Sequence, residues 1–121
     1  ESVKYLRGDC DDYAILMASL IESIGGGARV VCAYNDEVGH AYAIVYLSDK
    51  QATASELVNQ LSSKYNGRIH YIIHTNSDGI EEYWLNLDWT ARHPGGEFFD
   101  SNGEILVVAS NGYHYRSNFN P

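Results

Sequence analysis

Basic residues are scarce in this sequence: 8 lysines and arginines stand against 16 aspartates and glutamates, for a net charge of −8. That balance excludes binding to nucleic acid through general phosphate neutralisation and docking on an anionic membrane surface. Cysteines number only 2, Cys10 and Cys32, too few for a disulfide framework. No apolar run reaches the ~18 residues of a membrane-spanning helix, and no segment has the pattern of a signal peptide, so no direct membrane insertion is expected of this stretch. Internal repeats, low-complexity tracts and N-x-S/T sequons are also missing. What is present fits one globular domain over residues 1–121: the chain is 45% apolar and 20% charged, enough for one core and not two. It opens on Glu1 and reaches Cys10 within nine residues, so a domain taken from a longer protein is expected.

The segment "YLRGDCDDYAILMASLIESIG" (5–25) sets an oxidisable thiol among three aspartates, ahead of a long apolar run. Residues Asp11 to Ile24 suffice for about four helical turns. Their apolar residues occupy nearly every face, which predicts a central helix rather than a superficial one. Gly25 to Gly27 stop it, and Cys10 falls at or next to its N-cap. Free backbone N–H groups and the positive dipole end gather there and stabilise a thiolate. Asp9, Asp11 and Asp12 work the other way, because neighbouring negative charge raises a thiol pKa. Cys32 lies in the apolar strand "ARVVCAY", where a thiol behaves as a small hydrophobe. A disulfide between two such dissimilar sites is disfavoured.

Beyond the helix, "ARVVCAY" (Ala28 to Tyr34) and "HAYAIVYL" (His40 to Leu47) read as strands, the second with His40, Tyr42, Ile44 and Tyr46 on one face. The segment "SDKQATASELVNQLSSKYNG" reads as a second helix with Ser55 as N-cap, Leu57, Val58 and Leu61 as its apolar stripe, and "NG" as its end. "RIHYIIHT" and "IEEYWLNLDWT" form a hairpin through "NSDG", and "EILVVAS" is a last strand. The tail "NGYHYRSNFNP" has no clear period. The ten tyrosines suit half-buried sheet surfaces. The expectation is an α+β domain with a largely antiparallel sheet.

Of the five histidines, His40 opens a strand directly after Gly39; His70 and His74 share one strand face, His93 sits in a loop and His114 in the tail. Asp88 falls near the end of its strand, on the face of Trp84 and Asn86. If that strand runs antiparallel beside the His40 strand, His40 and Asp88 are cross-strand neighbours and the carboxylate orients the imidazole. Cys10, from the helix N-terminus, completes a nucleophile, base and orienting acid for acyl transfer.

"GDCDDYAILMASLIESIGGGARVV", "GHAYAIVYL" and "YWLNLDWT" together resemble the transglutaminase-like superfamily of papain-fold enzymes, over about Arg7 to Thr90. The resemblance implies a papain-like core with the central N-terminal helix packed on the sheet. Cys10 is then the nucleophile, His40 the base and Asp88 the orienting acid. It further implies a protein or peptide substrate, no cofactor or metal, and hydrolysis in preference to crosslinking. An extracytoplasmic or membrane-anchored full-length protein also fits, since many relatives are anchored or secreted. Tyr42 stands where the family often has tryptophan, and Trp89 where it often has proline. Family members often take an oxyanion-hole side chain from ahead of the cysteine, where only Tyr5 and its neighbours are present.

Blander readings compete at each position. Cys10 as a capping thiol is inferior to serine, and as packing is inferior to an apolar residue. The aspartates are dipole complements before they are metal ligands, because calcium loops need alternating oxygen ligands. The tripeptide "RGD" at Arg7 to Asp9 is too short a pattern to carry adhesion. A zinc site on Cys10, His40 and Asp88 needs a fourth ligand or an open water position. The main alternative to an enzyme is a catalytically inactive transglutaminase-like module that binds peptide. Trp84 and Trp89 are core residues by default, with Trp89 also placed to shield the His–Asp pair.

Overall fold

A computed structural model describes the backbone of residues 8–101 and 104–118, and the side chains of 11–101 and 105–117. Helix α1 (Gly8–Ser23) is followed by strands β1 (Ala28–Tyr34) and β2 (Gly39–Ser48), helix α2 (Gln51–Tyr65), and strands β3 (Tyr71–Thr75), β4 (Glu81–Leu87), β5 (Glu104–Ala109) and β6 (His114–Asn118). The chain is α+β, as its alternating patterns predict. All six strands join one sheet in the order β3-β4-β2-β1-β5-β6. Every neighbouring pair is antiparallel.

The sheet curls on itself. His74 of β3 stacks on Tyr115 of β6 with ring centres 4.2 Å apart, although these strands are the two outermost in the order. Strand alternation then divides the side chains cleanly. Val31 and Ala33 of β1, Tyr42 and Ile44 of β2, Ile72 of β3, Trp84 of β4, and Ile105 and Val107 of β5 meet on the concave side, where Phe98 joins them in the main core. On the convex side Ala14 of α1 meets Ala41 of β2, with Val30 of β1 packed against both.

Three details differ from the sequence expectations. Helix α1 starts at Gly8 rather than near Asp11, which moves Cys10 from the cap into the first turn. It is also not enclosed. Among its described side chains only Ala14 is buried, while Tyr13, Ile15, Leu16 and Leu20 are exposed, as is Ile24 just past its end. An all-round apolar run does not say which side is covered; Ala14 meets Ala41 of β2, and Tyr13, Ile15, Leu16 and Leu20 stay exposed. Helix α2 begins at Gln51 behind an extended Lys50 with no side-chain cap, so Ser55 lies inside the helix and is not its N-cap. Ala54 is the buried residue there, and the stripe of Leu57, Val58 and Leu61 is half-buried. Finally, the unassigned tail supplies β6, an edge strand with Tyr115 turned inward.

The punctuation of the chain follows its glycines and asparagines. Gly25 takes φ +90° after α1, and Asn66 takes φ 54° at the end of α2, both left-handed conformations that end helices. No helix of the described residues is long and apolar enough to cross a membrane.

Candidate active site

β2, which carries His40, and β4, which ends at Leu87 just before Asp88, pair as their patterns require. β2 and β4 are antiparallel with Ala43 opposite Leu87, which brings the start of one beside the end of the other. His40 Nε2 lies 2.8 Å from Asp88 Oδ2. Both side chains are withdrawn from water, at 6% and 5% exposure. A buried carboxylate needs its remaining lone pairs satisfied, and Asp88 meets that demand locally. Its Oδ1 accepts from the Thr90 backbone N–H at 3.0 Å and from the Thr90 hydroxyl at 2.9 Å. The carboxylate is therefore fixed on both oxygens, and it fixes the imidazole through Nε2. Nδ1 has no hydrogen-bond partner among the described residues.

Asn86, two residues before Asp88 and on the same strand face, holds this arrangement and is fully buried. Its Oδ1 accepts the Asp88 backbone N–H at 3.2 Å, while its Nδ2 donates to the carbonyls of Gly96 at 2.8 Å and Glu97 at 3.0 Å. Its main-chain carbonyl accepts from Gly95 N–H at 2.7 Å. The loop after β4 is thereby folded back along the end of the sheet. Two glycines allow the approach. Gly95 takes φ +79°, and a Cβ on Gly96 would stand 2.1 Å from the Ala91 carbonyl oxygen, so only a residue without a side chain fits. The sequence placed Asn86 on the face of Asp88 but gave it no role. A polar residue at an inward strand position among apolar neighbours was the available signal.

Aromatic rings wall the pair. Phe99 lies 5.0 Å and Tyr42 5.8 Å from the His40 ring, centre to centre. Burial pushes the Tyr42 phenol far above its ordinary range, and the Asp88 charge adds to this. Tyr42 is thus neutral wall, not base.

The Cys10 side chain lies outside the described residues, as do the Asp9 side chain, Arg7 and Tyr5. What surrounds its turn of helix is described. Residues three and four positions along a helix share a face with the first. From Cys10 these are Tyr13 and Ala14. Tyr13 packs on Trp89, the neighbour of Asp88, with ring centres 4.7 Å apart. Ala14 packs on Ala41, the neighbour of His40. Trp89 is 43% exposed and partners α1, so it is not a core residue. Asp11, one residue past Cys10, keeps a buried Oδ1 with no hydrogen-bond partner among the described residues.

The other histidines stand apart from the pair. His70 Nδ1 donates to the Gly95 carbonyl at 3.2 Å, His93 Nδ1 donates to the Pro94 carbonyl at 2.8 Å, and exposed His114 Nδ1 donates to the Gly112 carbonyl at 3.1 Å. His74 belongs to the far end of the sheet. Among the described residues no group of three histidine, cysteine, aspartate or glutamate side chains is placed to hold a metal ion.

Compared with known families, residues 1–89 match the family model described as the transglutaminase-like superfamily. The matched span contains Cys10, His40 and Asp88. No curated protein and no solved structure gave a significant match.

Proposed function

The chain belongs to the transglutaminase-like superfamily, and from that premise we propose that it carries out cysteine-dependent acyl transfer on peptide or carboxamide bonds. One observation carries the reading: a buried His40–Asp88 pair at 2.8 Å whose carboxylate is held on its second oxygen as well. A histidine kept in one orientation inside a protein, with one nitrogen unspent, is built to move a proton.

In this mechanism His40 Nδ1 takes the Cys10 proton, and the sulfur attacks the carbonyl carbon to give a tetrahedral oxyanion. Free backbone N–H groups of the first turn of α1 stabilise that charge. Collapse expels the amine, which leaves with the proton from His40, and a thioester to Cys10 remains. His40 then deprotonates a water, which attacks the thioester, releases the acid and restores the thiol. An amine in place of water gives crosslinking; hydrolysis, as a peptidase or amidase, is the reading we favour. Asp88 stabilises the imidazolium throughout.

The test is a degenerate peptide library incubated in H2(18)O with and without a primary amine, read by mass spectrometry against a Cys10→Ala control. Label at a new carboxyl supports hydrolysis, and amine adducts support crosslinking. Products identical to the control would leave a module that binds peptide without turning it over.

A further inference from the structure

The loop pinned by Asn86 does more than close the end of the sheet. With the end of α2 it encloses a cleft of about 690 Å³ that reaches Asp88 and Thr90. That volume falls within the ~300–1,000 Å³ typical of small-ligand sites. Its charge is unlike that of the protein around it. Arg68 and Arg92 both line the cleft. Two of the chain's 8 basic residues thus meet at one cleft of a protein with net charge −8. Two acids also line it: Asp88, whose carboxylate is committed to His40 and Thr90, and exposed Glu97.

Arg92 takes φ 69°, a left-handed conformation that a residue with a Cβ rarely adopts. Beside it, His93 stacks on Tyr65 with ring centres 4.4 Å apart and planes within 7°. This stack ties the loop to α2 and forms a flat wall on the cleft. The C-terminal carbonyls of α2 bring negative partial charge, yet Ser62 O there is already capped by the N–H groups of Asn66 and Gly67.

We propose that this cleft is a substrate subsite selecting a carboxylate, so that the acyl-transfer site acts on peptides with an acidic group close to the reacting bond. The inference rests on the function proposed above, because Asp88 joins the cleft to the reacting pair. Arg68 and Arg92 meet the carboxylate, and the Tyr65–His93 wall and Phe99 border the peptide. An acidic side chain and a C-terminal carboxylate offer the same chemistry.

The experiment titrates the 15N-labelled Cys10→Ser protein, which binds without turnover, with three probes. These are acetyl-Gly-Glu-Gly-amide, its Gln counterpart, and acetyl-Gly-Gln-Gly with a free carboxyl end. The amides of Ala91, His93 and Gly96 report occupancy. Two exposed charge pairs predict about two- to thirtyfold tighter binding of a carboxylate probe than of the Gln amide. The advantage shrinks in 0.5 M salt and disappears in Arg68→Gln/Arg92→Asn, where Asn suits the left-handed position. Arg68→Gln alone, at an exposed position, removes about half of it. Which carboxylate probe binds tighter identifies the source.

Equal affinity for all three probes, a preference that survives both substitutions, or no shift at those amides overturns the subsite. Acyl transfer is read separately, from Cys10 reactivity. A reactive Cys10 with no carboxylate preference removes the subsite alone. A carboxylate preference with an ordinary Cys10 thiol removes the acyl-transfer reading and leaves a carboxylate-binding cleft.

Discussion

Two polar clusters are lodged inside the same curled sheet, one at each end, and they differ in what is left over. At the far end Arg29 donates to the Tyr115 hydroxyl at 3.1 Å, lies 3.7 Å from Glu82 and sits 4.1 Å above the Trp84 ring. Glu82 in turn accepts from Trp84 Nε1 and Asn76 Nδ2, both at 3.2 Å. That cluster closes on itself. At the near end Asp88 is equally occupied, but His40 gives Nε2 to it and its Nδ1 has no partner among the described residues. Charged and polar groups that hold one another serve structure; a buried imidazole with one nitrogen open to a further partner serves proton transfer.

The contrast is broken most sharply by removing the central residue at each end. His40→Gln, which keeps an N–H donor for Asp88 Oδ2, should reduce acyl transfer by about 10³-fold or more while shifting stability by only ~1 kcal/mol. Arg29→Ala should do the reverse. It leaves Glu82 without its cation and Trp84 without its cover, for ~2–4 kcal/mol, with turnover per folded molecule unchanged. Denaturant unfolding and active-site-normalised rates measured together decide the matter; equal effects of both substitutions on rate would erase the distinction.

Asn86→Ala stands between the two extremes. It strips partners from the Asp88 N–H and from the Gly96 and Glu97 carbonyls in a fully buried position. At ~1 kcal/mol for each lost bond it should cost ~3 kcal/mol. Activity should fall as well, because the loop and Asp88 move together. Hydrogen exchange at Gly95 and Asp88 should rise first. Protection unchanged there would show that the loop is held by something else.

Smaller still is a pH effect confined to the far end. Burial holds His74 below its ordinary range, Arg29 adds to this, and Glu82 opposes it. The unfolded chain then binds the proton first, so this stability is present above about pH 6.5 and is lost as pH falls through the lower folded value. His74→Phe keeps a ring against Tyr115 and should flatten unfolding free energy between pH 7 and 5. A slope identical to the wild type would exclude His74 as its source.

Much of this layout was legible because local pattern and chemistry agreed. The alternation of "HAYAIVYL" and "YWLNLDWT" fixed which face each residue takes, and two antiparallel strands with His40 first and Asp88 last leave little freedom in where those side chains meet. What was not legible depended on distant parts of the chain. β6 carries no apolar period of its own and becomes a strand because β5 offers it an edge. Helix α1 is apolar nearly all round, so its sequence names no covered face; Ala14 is covered because it is small enough to meet Ala41 closely. Asn86 and Thr90 look like ordinary strand-end polar residues until the Asp88 carboxylate is placed between them. Arg68 follows α2 and Arg92 lies in the loop after β4, and the two line one cleft only when that loop folds back.

The most direct test of the central claim is the rate of Cys10 alkylation by iodoacetamide from pH 4 to 10, with sites read by peptide mass and half-buried Cys32 as internal control. A thiol coupled to His40 should react well below the ordinary thiol pKa of ~8.5, and His40→Ala should abolish that low-pH reactivity. A Cys10 profile that follows a simple thiol, or is unchanged by His40→Ala, would contradict the account.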